Sequence, residues 1–221
     1  AELLGVMAEG VASGYSQAEA GKWLSRARVL IEDIPNVRSQ SLEAKKYARW
    51  SPLAEADQAD ALYLRGVAME HTVVQVRTIA RTLFDSAVAG GVTQFANRQI
   101  GNALSATSYA ITSKAESIET HSAGQRALNI AEDLRLAAAT LAEELIAETD
   151  RIDQEEFVRN ISLVSNIERI ADSLDESSPA LSDVTTPDEP ANAKVMKVSP
   201  VTLATKWPKR IWFAIRKFLQ R

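Results

Sequence analysis

Apolar residues recur at alternating intervals of three and four along most of this chain, a period that fits helices and excludes half-buried strands. The longest example runs Ala59, Leu62, Gly66, Met69, Val73, Val76, Ala80, Leu83 and Ala87, keeping the interval through four heptads. At about 1.5 Å per residue it predicts one helix ~40 Å long with a single apolar seam. Leu128, Ala131, Leu134, Ala138, Leu141 and Leu145 repeat the seam, and so do Phe157, Ile161, Val164, Ile167, Ala171 and Leu174. Between these runs Ala96, Ile100, Leu104, Ile111 and Ile118 form a thinner stripe. Nowhere do apolar and polar residues alternate over strand length, so the expected fold class is all-α.

The helix boundaries carry their own chemistry. Ser16 and Glu19, Ser122 and Gln125, and Asp153 and Glu156 have the spacing of a capping residue and a side chain reaching back to it, which satisfies free N–H groups at a helix start. Ser51 before Pro52 reads as a cap followed by a proline in the first turn. Pro35 lacks a donor and clashes one turn back, so it is expected to break or kink the segment 16–48. Gly90 and Gly91 mark a break between long helices. The prediction is a short lead-in helix, a proline-interrupted pair, and four longer helices at 54–88, 92–119, 123–149 and 154–176. Their short connections make sequential helices antiparallel neighbours, hence an up-and-down antiparallel bundle over residues 1–176. Residues 177–205 contain Pro179, Pro187, Pro190 and Pro200 with few large apolar side chains, and read as a linker.

Charge divides the chain more sharply than its formal net of -4 suggests. Eight cations and no acid follow Pro190, which leaves -12 on residues 1–190. An acidic body argues against nucleic acid as a partner and directs attention to the basic end. No cysteine is present, which fits a reducing compartment or simply no use for thiols. No signal peptide is visible at the start, and the longest charge-free run, 99–113, is too short and too polar to span a bilayer, which takes ~20 residues. The chain opens on Ala1 rather than Met, which fits other sequence preceding it and equally fits processing of the start.

Catalytic chemistry is hard to place. A phosphate-binding loop would need a glycine separated by four residues from Gly-Lys-Ser/Thr; six residues separate Gly14 from Gly21-Lys22, and Trp23 takes the hydroxyl's position. Ser13 lacks the glycine spacing of a nucleophile elbow. His71 and His121 are the only imidazoles and no Glu-x-x-His pair exists, so His71 reads as a seam-flanking side chain and His121 as a helix-end residue. No catalysis, metal or cofactor is expected. Arg65, Arg77 and Arg81 lie along the longest helix, where they either hold an anionic ligand or pair with acids of a neighbouring helix. The small-residue runs 103–106 and 137–139 are expected to permit close helix packing rather than to line a pocket.

The basic end is the most informative surface. A helix from Pro208 places Ile211, Trp212, Ile215, Phe218 and Leu219 on one side, with Lys209, Arg210, Arg216, Lys217 and Arg221 on the other side or its margins. Lys206, Trp207 and Phe213 complete a basic, aromatic, amphipathic segment over residues 206–221. Three occupants fit such a helix: a membrane surface, through interfacial aromatic and cationic groups; an acidic helical bundle, its own or a partner's; and, least favoured, a calmodulin-like protein or nucleic acid.

Part of the chain resembles a known family. Residues 20–80 are similar to the soluble helical region of FUSC-type proteins, the fusaric-acid-resistance and aromatic-acid-exporter-like inner-membrane proteins. The resemblance rests on Ala20 with Ala27-Arg28-Val29-Leu30, on Tyr47-Ala48-Arg49-Trp50-Ser51-Pro52, on Leu62-Tyr63-Leu64-Arg65 and on Val76-Arg77-Thr78-Ile79-Ala80-Arg81. It implies several membrane helices upstream, this domain on the cytoplasmic face of the inner (plasma) membrane, and a structural, assembly or gating role in the efflux of aromatic or other organic acids. The implied partners are that upstream transmembrane domain and the membrane surface, with homo-oligomerisation compatible. A second expectation is a soluble PhoU-like regulator or adaptor that docks on a membrane protein through its basic end.

Overall fold

The computed structural model describes residues 1–50, 56–90, 94–119 and 123–175. Among them every regular element is an α-helix: α1 (Glu2–Ser13), α2 (Gln17–Glu32), α3 (Ile34–Trp50), α4 (Ala56–Val88), α5 (Gln94–Glu119), α6 (Ala123–Ala147) and α7 (Gln154–Leu174). The protein is all-α, and the expected long-helix boundaries agree with these to within two residues at each end.

Local chemistry accounts for the ends. Ser16 Oγ accepts the Glu19 N–H while the Glu19 carboxylate accepts the Ser16 N–H at 2.8 Å, so α2 opens on the capping box read from its sequence. At the start of α7, Asp153 accepts the Glu156 N–H at 2.8 Å. The break ascribed to Pro35 falls at Asp33, and the proline sits in the first turn of α3, where a missing donor costs nothing. Gly14 closes α1 at φ +84°, and Gly90 follows α4 at φ +108°; both take the left-handed backbone that side chains disfavour. The caps expected at Ser51 and Ser122, like Gly91, lie outside the described residues.

Packing organises these helices around α7, which rests on α4, α5 and α6. Leu163, Val164, Ile167 and Ile170 are all fully buried there, so α7 is apolar over more of its circumference than one seam would provide. The α6 seam is buried as expected at Ala131, Leu134, Ala138, Leu141 and Leu145. Arg135, at the midpoint of α6, holds Asp172 at 3.0 Å and Asp175 at 2.7 Å, which ties α6 to the end of α7. Burial works against the Arg135 charge, but the hydrogen bonds to Asp175 and Asp172 outweigh it and raise its pKa.

Three expectations need correction. Helix α1 is no mere lead-in: Leu3, Leu4, Met7, Ala8 and Val11 are buried in the main core. It lies antiparallel on α5, with Ser108 Oγ donating to the Ala1 carbonyl and Gly101 beside Ala8 and Ala12. Helices α4 and α5, though joined by a short connection, make at most marginal contact among the described residues; α5 carries α1 and α6, and α4 carries α2, α3 and α7.

The α4 seam is the third correction. Met69, placed on it by the sequence, is half exposed, whereas Tyr63 and Val67 are buried in a small separate core with Leu42 of α3. An ideal helix drifts by about 20° per heptad against a 3.5-residue repeat, so one straight helix cannot hold a single seam for four heptads. The first half of α4 faces α3, tied by Lys45 to Asp60 at 3.0 Å and by Arg38 to Glu70 at 3.7 Å. Its second half turns Val76, Ile79, Ala80 and Leu83 into the main core.

Candidate functional site

The residues picked out for chemistry do not converge. Arg65 and Arg77 lie twelve positions apart on α4, about 18 Å along the helix axis, so Arg65 belongs to no common site with Arg77. Arg81 binds both carboxylate oxygens of Asp85 at 2.9 Å, an i, i+4 pair within its own helix rather than one to a neighbouring helix. Gly21 faces Phe84 from the middle of α2, and Ser13 Oγ donates to the Glu9 carbonyl at 2.7 Å, so neither belongs to a phosphate loop or a nucleophile elbow. His71 is half-buried on α4, while His121 lies outside the described residues. Lys206, Trp207, Lys209, Arg210, Trp212, Phe213, Arg216, Lys217, Phe218 and Arg221 also lie outside them.

One end of the bundle gathers buried polar groups that the periodicity missed. Tyr15, in the α1–α2 turn, stacks at 5.2 Å on Trp23 and donates its hydroxyl to the Leu83 carbonyl at 3.0 Å. Burial pushes the Tyr15 phenol up to about 12, with the nearby Arg159 charge acting in the opposite direction. Asn160, fully buried beside Arg159 in sequence, has neither amide atom hydrogen-bonded among the described residues. A polar side chain so placed destabilises rather than stabilises, typically by about 1–3 kcal/mol.

Because the folded Tyr15 phenol titrates above the unfolded one, the unfolded chain loses its proton first as pH rises past 10. Stability contributed by the protonated phenol is therefore complete below that pH and declines up to about 12. Denaturant unfolding of the wild type and of Tyr15→Phe at pH 9 and pH 11 should show a larger loss in the wild type; equal losses would reject the assignment.

One surface feature among the described residues is an open groove of about 410 Å³ between α5 and α6. Gln99, Asn102 and Ala103 form one wall, and Asp133, Leu136, Ala137, Thr140, Leu141 and Glu144 the other. The small-residue runs thus do both things: Ala138 is fully buried between helices, while Ala103 and Ala137 open the groove. Leu136 is 66% exposed at its edge, and Tyr109, seven residues beyond Asn102 on the same face of α5, is 71% exposed. Glu132 and Glu143 stand exposed on α6 next to the lining acids. The result is an apolar floor with a negative rim.

Among the described residues no cluster of three or more His, Asp or Glu side chains could hold a metal ion, and no helix is long and apolar enough to cross a membrane. Comparison of the chain with protein-family models, with curated proteins and with solved structures returns no match.

Proposed function

We propose that this chain is the cytoplasmic helical domain of a FUSC-like membrane protein engaged in efflux of aromatic or other organic acids. Its role is structural, in assembly or in gating, without catalysis of its own. In this reading residues 1–176 form an up-and-down antiparallel bundle, residues 177–205 a linker, and residues 206–221 a basic helix that meets the membrane surface. The observation that carries it is the division of charge, -12 on residues 1–190 against eight cations after Pro190, six of them interleaved with Trp207, Trp212, Phe213 and Phe218 at the end. Cations bordering aromatic side chains bind anionic headgroups and the interfacial layer together, with about 1 kcal/mol per Lys or Arg near such a surface. The acidic body is repelled by the same lipids, which leaves the basic end as the contact.

Two measurements test this reading. Sedimentation with vesicles containing phosphatidylserine should lose most protein binding when residues 206–221 are deleted; unchanged binding would reject the membrane contact. Several hydrophobic spans are expected in the translated sequence upstream of Ala1, and a start codon immediately before Ala1 would sink the FUSC-like assignment.

A further inference from the structure

We propose that the α5–α6 groove is the docking site of the chain's own C-terminal segment, residues 206–221, so that the basic helix is held on the bundle when no membrane is present. This goes beyond the transporter reading and does not depend on it.

The point of departure comes first. Asp175, the last described residue, is tied to Arg135 at 2.7 Å, and Arg135 is the immediate neighbour of Leu136 at the groove edge. Successive side chains on a helix diverge by about 100°, so Arg135 faces α7 rather than the groove, and the chain leaves the bundle on the α7 side of α6, one helix diameter (~10 Å) from the groove. Thirty residues, 176–205, then separate this exit from the basic segment. A flexible linker of that length has an end-to-end distance of roughly 30 Å. The groove is shorter than this reach: from Asp133 to Glu144, α6 rises by about 17 Å. A helix over residues 208–221 is about 21 Å long, which matches the groove in length.

The chemistry is complementary as well. Ala103, Ala137 and Leu141 make an apolar floor that the half-exposed Leu136 extends, and Ile211, Trp212, Ile215, Phe218 and Leu219 supply an apolar stripe of matching kind. Asp133 and Glu144 line the groove, with Glu132 and Glu143 beside them. The only cation that the described side chains of α6 between residues 129 and 147 contribute is Arg135, already engaged by Asp172 and Asp175. Against one like charge on the α5 side, Arg98 beside Gln99, Lys209, Arg210, Arg216, Lys217 and Arg221 would meet the acids Glu132, Asp133, Glu143 and Glu144 of α6. Tethering lowers the affinity required: at an effective concentration of about 1 mM, a contact with a dissociation constant of ~100 μM is mostly closed.

The apolar stripe that enters the groove is the one that would enter a membrane surface, so the two sites compete. A lipid surface would draw the helix off the bundle and bare the groove.

The absence of cysteine makes the test clean. In the full chain Thr140→Cys on the groove is paired with Ala214→Cys at the margin of the basic helix, and disulfide formation is followed under mild oxidation. A concentration-independent, intramolecular cross-link is expected, at least tenfold faster than for Val158→Cys with Ala214→Cys, whose partner lies on the exposed face of α7. Adding Asp133→Lys and Glu144→Lys to the first pair should cut its rate severalfold while helical circular dichroism stays unchanged. Equal rates for the two pairs, indifference to the charge reversals, or a cross-link that forms only between chains would overturn the docking. The vesicle experiment is read separately: its failure removes the membrane contact and leaves the cross-link result standing.

Discussion

Ile170→Ala and Leu163→Ala are each expected to destabilise the protein by about 2–5 kcal/mol, as much as Ile167→Ala. All three side chains are fully buried on α7. The apolar period of that helix, taken alone, places Ile167 on the seam and leaves Leu163 and Ile170 at its flanks, where truncation would cost less. What raises their expected cost is that α7 touches α4, α5 and α6, so that its exposed face, at Val158 and Arg169, lies away from both flanks, and Leu163 and Ile170 are fully covered. Removing a fully packed side chain forfeits its transfer free energy and also leaves a cavity, since neighbours held by three other helices cannot all collapse into it. Ile161, on the predicted seam but only half-buried, should cost less than any of the three when truncated. Urea unfolding with an unchanged m-value measures these differences directly. If Ile170→Ala cost under about 1 kcal/mol, the central position of α7 would be wrong.

What the sequence revealed and what it concealed have physical reasons. Helix boundaries were legible because they are set locally: Ser16, Asp153 and Pro35 act within four residues, and each does in the fold what its chemistry requires. The α6 seam was legible because that helix meets its partners along a steady line. Partner choice is a long-range property and was not. Nothing in the period of α1 says that it will lie on α5, nearly a hundred residues away, and the short connection after α4 favours a pairing that the core does not use. Arg81 illustrates the same limit at the scale of one side chain. Its acid was expected on another helix and lies four residues along its own. The groove was illegible for a related reason, because an alanine spacing that permits close packing at Ala138 opens a surface channel one position earlier at Ala137. The buried Asn160 had no signal at all, since it interrupts an apolar helix as an exposed residue would.

Gly101→Val should loosen the seat of α1 on α5 and destabilise the fold by about 2–3 kcal/mol, toward the upper end of what overpacking usually costs. A Cβ built at Gly101 would lie 3.0 Å from the Ala12 Cβ and 3.0 Å from the Ala8 carbonyl oxygen, so the obstruction is backbone and a methyl group rather than a side chain that can swing away. Intrinsic propensity points the other way, because valine is favoured over glycine inside a helix by a few tenths of a kcal/mol, and it is too small an effect to decide the outcome. The chain then has two responses. Either α1 stays and strain spreads into both helices, or α1 leaves and bares Leu3, Leu4, Met7 and Val11, each losing about 1.5–3 kcal/mol of burial. Strain is the smaller penalty in the folded state, but it brings local opening within reach. A helix of twelve residues has little stability of its own once its seat is weakened. Amide hydrogen exchange should therefore accelerate across residues 2–13 more than in α6 or α7, alongside the fall in the unfolding midpoint. Ser105→Val, an exposed change one turn along the same helix, should stay within about 0.5 kcal/mol of the wild type and leave exchange in α1 unaltered. Uniform acceleration over all helices in Gly101→Val would instead mean that α1 is fused to the bundle and opens only when everything does.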